Sequence, residues 1–120
     1  PLGMMVEVPT AAIAADRFEA DFYSIGSNDL VQYATACARD NPAVAALAEP
    51  DNPAIHALIR MTVEAAARRG VEVSLCGDMA SDPALTAALL EDGLRSLSGA
   101  PPLVGRIKLA VAGWPGSSAA

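Results

Sequence analysis

Four short apolar runs, each stopped by a glycine, a proline or a polar corner and followed by a helical stretch, limit what this chain can fold into. The runs are "GMMVEVP" (residues 3–9), "FYSIG" (22–26), "VEVSLC" (71–76) and "LRSLSG" (94–99). They are more continuous than alternating, which is the pattern of parallel strands covered on both faces. After the first, "TAAIAAD" reads as a helix with Thr10 as its cap. After the second, the polar loop "SND" precedes a helical "LVQYATACA". The long "AIHALIRMTVEAAARRG" repeats apolar residues at helical spacing, carries Arg68 and Arg69 in its last turn and stops at Gly70. "SDPALTAALLEDG" follows the third run, with Asp82 as cap and Pro83 in the first helical position, and a last helix is expected from about Leu103. One strand–helix unit per about 30 residues is the size of a parallel β/α unit.

Two architectures satisfy this pattern: a small open doubly wound sheet, or half of an eight-stranded barrel. The polar residues favour the barrel. Glu7, the Asn28–Asp29 pair and Cys76 fall at or just past the ends of successive strands. That is the ligand edge in either architecture, and in a barrel it forms a common mouth. The expected fold is therefore α/β, the C-terminal half of a TIM (β/α)8 barrel with four β/α units.

The composition excludes several classes of function. The net charge of −6 comes without a basic stripe, which argues against nucleic acid or anionic membrane as a partner. Two cysteines and one histidine in 120 residues are too few for a zinc cluster or a disulfide scaffold. No continuous apolar run is long enough to span a membrane and no signal-peptide pattern opens the chain, so a cytoplasmic location is expected. The chain also starts within a strand pattern and without Met, so a piece of something larger is expected.

Glu7 stands among apolar residues in "MMVEVP", where an unpaired carboxylate is costly to bury. It reads either as the partner of an arginine on a neighbouring strand or as a metal ligand. Asp29 after the next strand favours the second reading, since Mg²⁺ takes one or two carboxylates plus waters and ligand oxygens. Asn28 and Asp29 have an alternative as turn formers and helix caps. Arg39, in the loop "ARDN", suits bidentate contact with a phosphate, whereas Arg60, Arg68 and Arg69 read as solvated helix positions. Cys37 reads as packing on an apolar helix face.

Cys76, followed by Gly77 and Asp78, has three possible roles: nucleophile, metal ligand and proton donor. Nothing ties His56 to it as an activating base, and a soft thiolate does not match hard oxygen ligands. Proton delivery to a carbanion or enolate carbon suits the site best. His56 itself reads as structural or partly exposed.

"GMMVEVPTAAIAAD", "DFYSIGSNDLVQYATACARDNPAV" and "VSLCGDMASDP" together resemble the phosphoenolpyruvate (PEP)-binding barrel of the PEP-utilising enzymes. That family includes enzyme I of the bacterial sugar phosphotransferase system, pyruvate phosphate dikinase and PEP synthase. The run "SIGSNDLVQY…RDNPAV" is most similar to the enzyme I branch. The resemblance implies Mg²⁺ held by Glu7 and Asp29, a PEP phosphoryl group contacted by Asn28 and Arg39, and Cys76 as proton donor to C3 of the enolate, with Asp78 beside it. It also implies a homodimer and phosphoryl passage through a histidine on another domain to the carrier protein HPr. Two segments depart from the family pattern: its usual CGE is Cys76–Gly77–Asp78 here, and a usual "SMS"-like segment is "LSGAPP". Residues 1–112 are expected to form the partial PEP-binding domain and 113–120 a disordered tail. Such a piece is expected to be inert alone, serving at most as a dimerisation module until the other strands are supplied.

Overall fold

The computed structural model describes residues 1–116 of the chain. Strand β1 is Gly3–Val6, and helix α1 begins almost at once, at Pro9–Ile13. Pro9 thus starts a helix as well as ending a strand, because a first-turn residue needs no N–H donor and proline's fixed φ is already helical. The cap is Val8, whose carbonyl accepts from Ala11 and Ala12, and not Thr10.

Strand β2 is Phe22–Gly26, and helix α2, Ser27–Thr35, follows with no intervening loop. The expected loop "SND" is the first turn of this helix. An acidic Asp29 there complements the helix dipole. Helix α2 ends at Ala36, a non-glycine residue in the left-handed conformation with φ 55°. Cys37 therefore lies past the helix and not on its apolar face. It is nonetheless buried, and its thiol donates to the Thr35 carbonyl at 3.2 Å.

Helix α3, Pro53–Arg69, is capped as its sequence dictates. Asn52 Oδ1 accepts from Ala54 N at 2.8 Å, Pro53 takes the first position and Gly70, at φ 68°, closes the far end. Strand β3 is Glu72–Cys76, followed by the short α4, Asp78–Ser81, and by α5, Thr86–Glu91. Asp82 does cap a turn, accepting from Ala84 N at 2.9 Å, yet the α-helix proper begins three residues after Pro83. Strand β4 contracts to Leu97–Ser98. Leu94, expected to open it, is fully buried and donates its N–H to Leu89, so it completes the end of α5. Helix α6 is Val104–Gly113. It takes in the first residue of the expected tail, and Trp114 lies under the Arg95 guanidinium, 5.4 Å from ring centre. Residues 117–120 of that tail lie outside the described residues.

The four strands form one parallel sheet in the order β1-β2-β3-β4. Val6, Tyr23, Ile25 and Leu75 point to one side and are fully buried against Leu30, Ile55, Ile59 and Leu89. The Tyr23 hydroxyl donates to the Ala15 carbonyl at 2.7 Å, so its polar end is satisfied within that core. The alternate residues face the other way, and there Met5 and Phe22 are 48% and 41% exposed. Among the described residues the sheet is thus covered by helices on one face only, not on both.

His56 lies at the buried end of α3 in a network that its sequence position does not announce. Nδ1 contacts Asp92 Oδ2, Nε2 is 3.1 Å from Asp51 Oδ1, and Arg60 donates to Asp92 Oδ1 at 2.7 Å. Arg60 is exposed, as expected for it, and from that position it pairs with Asp92. No helix among the described residues is long and apolar enough to cross a membrane.

Candidate functional site

Parallel pairing brings the C-terminal ends of all four strands to one edge, and register sets what meets there. Gly26 pairs with Cys76 and Cys76 with Ser98. Glu7 follows β1 directly and leans across the end of β2. A Cβ at Gly26 would lie 3.0 Å from Glu7 Oε2 and 3.1 Å from Met5 Sδ, so the glycine makes room for the carboxylate. Among the described residues Glu7 makes no ion pair. Asp29, in the first turn of α2, stands 3.6 Å from Arg39 Nη1.

The corner after β3 is held from α2 by two side chains. Ser27 Oγ, fully buried, donates to the Cys76 carbonyl at 2.7 Å, and Asn28 Oδ1 accepts from Asp78 N at 2.9 Å. Gly77 between them has φ 95° and ψ −171°, a conformation essentially reserved for glycine. A Cβ there would come within 2.4 Å of Ser27 Oγ. Gly77→Ala is therefore expected to destabilise the fold by about 2 kcal/mol or more, through backbone strain and overpacking together. Urea unfolding checks this as a lower midpoint at unchanged slope. Gly70→Ala is the control, since its φ is also positive but a Cβ would meet nothing within 4 Å. Equal losses at the two positions would show that the Cys76 corner relaxes freely.

The Cys76 thiol is half-buried. It donates to the Ile25 carbonyl at 3.5 Å, and Ser24 Oγ donates to it at 3.9 Å, a long contact even for sulfur. Asp78 is exposed, and its carboxylate makes no hydrogen bond to the thiol. It faces a cleft of about 370 Å³ whose lining includes Asn28, Gln32, Arg39 and Asp78. Three of the six residues expected from sequence thus share one cleft, and Asp29 is joined to it through Arg39. Glu7 and Cys76 approach from the uncovered side of the sheet and do not line it. A larger cavity of about 500 Å³ lies at the opposite end of the strands, lined by Phe22, Glu72 and Arg95, away from all six residues.

Ser24, Ser27 and Gln32 were not anticipated. Ser24 carried a signal, as the one polar side chain inside an otherwise apolar strand. Gln32 also carried one, being a turn beyond Asn28 on the same helix face. Ser27 carried none, because its partner is 49 residues away and only strand register brings the two together.

No group of three histidine, cysteine or acidic side chains able to hold a metal occurs among the described residues. Glu7 and Asp29 offer two carboxylates at one sheet edge. That suits a hard cation completing its shell with water and ligand oxygens, and it does not suit a soft metal.

Comparison with known proteins identifies the family. The profile of the family described as PEP-utilising enzyme, PEP-binding domain, matches residues 1–114. A phosphoenolpyruvate-protein phosphotransferase of Bacillus sp. (strain S) is 52% identical over 99 residues, covering 81% of this chain and 17% of the relative. That of Bacillus subtilis (strain 168) is 48% identical over the same span, with the same coverage. That of Cupriavidus necator is 44% identical over 109 residues, covering 89% of this chain and 19% of the relative. The chain spans less than a fifth of the length of these relatives. It belongs to the PEP-utilising enzymes, in their PEP-binding domain.

Proposed function

We propose that this chain is the substrate-gripping part of a PEP-protein phosphotransferase, forming four β/α units of a TIM barrel whose remaining strands come from elsewhere. The observation that carries the proposal is the first turn of α2. It presents Asn28 and Asp29 at the sheet edge and also holds the Cys76–Asp78 corner. Groups suited to a phosphoryl end, on α2, and to a carbon end, at the close of β3, are therefore tied together by that one turn. A one-sided parallel sheet suits a barrel, where helices cover the outside and the other face turns inward.

In this reading Arg39 and the amide of Asn28 bind the phosphoryl group of PEP, and Glu7 and Asp29 hold Mg²⁺. The cation, when bound, neutralises phosphoryl and carboxylate charge on the substrate. The bond between phosphorus and the enol oxygen breaks, and the phosphoryl group passes to a histidine outside the described residues. His56 is not that acceptor, being buried between two aspartates. The enolate left behind takes a proton at C3 from the Cys76 thiol, giving pyruvate and a thiolate that is reprotonated by solvent. Delivery onward to HPr, a homodimeric assembly and a cytoplasmic setting complete the reading, as the resemblance to the enzyme I branch implies.

Glu7→Gln and Asp29→Asn test it in the full-length protein carrying this chain. Each is expected to lower Mg²⁺-dependent PEP turnover by about a hundredfold or more, since each removes one of two anionic ligands. Far-ultraviolet circular dichroism is expected to stay unchanged. Turnover that survives both substitutions would overturn the metal assignment. The 120-residue chain alone is expected to show no turnover.

A further inference from the structure

Asn28 and Gln32 stand four residues apart on α2 and so share one face of it. Each spends its side-chain carbonyl oxygen on a backbone N–H from another segment. Asn28 Oδ1 accepts from Asp78 N, and Gln32 Oε1 accepts from Arg39 N, both at 2.9 Å. A backbone N–H only donates, so it fixes which end of each amide is oxygen. Both NH₂ groups are left without a protein acceptor among the described residues, and neither is a buried orphan. Both side chains line the cleft that contains Arg39. The result is two oriented amide donors beside one guanidinium, a set suited to the oxygens of a tetrahedral anion. Asp78 also lines this cleft, exposed and negatively charged, and Asp29 stands 3.6 Å from Arg39 Nη1, so an anion bound at the Gln32–Arg39 end shares the guanidinium with that carboxylate.

We infer that Gln32 is a further substrate-binding residue, donating from Nε2 to a phosphoryl oxygen of PEP alongside Asn28 and Arg39. This rests on the PEP-phosphotransferase reading above. Gln32 has a second task, which is to hold the Arg39 backbone, and two substitutions separate the tasks. Gln32→Glu keeps an oxygen for the Arg39 N–H but turns the donor into an anion facing an anion. Gln32→Ala removes both interactions.

Steady-state kinetics of the full-length protein, with inorganic phosphate and oxalate as inhibitors, reads the difference. The KM for PEP is expected to rise about tenfold in Gln32→Ala and further in Gln32→Glu. Far-ultraviolet circular dichroism is expected to stay unchanged in both variants, which shows that they fold. Inhibition by phosphate weakens in parallel, while inhibition by oxalate, which carries carboxylates but no phosphoryl group, holds. A Gln32→Glu variant that behaves as the unsubstituted protein while Gln32→Ala is impaired makes Gln32 a positioning residue only and overturns the inference. Unchanged kinetics in both variants does the same, as does weakening toward oxalate without weakening toward phosphate. Unsubstituted protein that turns over no PEP overturns the parent reading and this inference with it. Normal unsubstituted turnover with unaffected variants overturns this inference alone.

Discussion

Cys76→Ala in the full-length protein is expected to lower pyruvate formation from PEP by on the order of 10²–10⁴, the range for loss of a positioned proton donor. The side chain suits this role through where it sits more than through strong bonding. Its thiol rests against the Ile25 carbonyl and near Ser24 Oγ, while its backbone is anchored by Ser27. Removing the sulfur leaves that anchoring intact, so the fold is expected to survive. The diagnostic readout is facial selectivity at carbon. With C3-labelled PEP in deuterated water, the unsubstituted protein should add the proton to one face of the enolate. The Cys76→Ala variant should give pyruvate of scrambled methyl configuration, because protonation then happens in bulk solvent. Slow turnover that keeps its facial selectivity would point to another donor and remove Cys76 from the role.

The second large effect is on stability and lies far from that edge. Asp92 is buried, with a side chain only 4% exposed, and it accepts from Arg60 while contacting His56. Asp92→Ala leaves an imidazole and a guanidinium facing an empty space. The expected loss is about 3 kcal/mol, the scale for breaking a buried polar pair by removing one partner. Asp51 touches the same histidine from a side chain that is 73% exposed, so Asp51→Ala is expected to lose about 0.5 kcal/mol. Urea midpoints for the two variants compare them directly. Similar losses would mean that the network is held by solvent-side contacts and not by Asp92.

Those two sites differ in how far the sequence disclosed them. Cys76 was legible because β3 is a short strand pattern whose end is marked by Gly77, and Gly70 and Gly26 made the limits of α3 and β2 similarly clear. Where boundaries shifted, a residue served two purposes. Pro9 reads as a stop but also opens α1, "SND" reads as a loop but is helical, and Leu94 reads as strand but completes α5. The pairings that escaped notice are those between distant segments. Ser27 meets Cys76 across 49 positions and His56 meets Asp92 across 36. Periodicity and spacing describe one segment at a time, whereas these pairs exist only once strand register and helix packing are set.

The bond from Asp78 N to Asn28 Oδ1 has a further implication. It grips the peptide at position 78 and takes nothing from the side chain beyond it. Backbone placement there is decoupled from side-chain identity, so the corner can exchange one acidic residue for another without being rebuilt. The aspartate in "CGD" is then a shorter arm mounted on an unchanged hinge plate, and whatever it alters is reach alone.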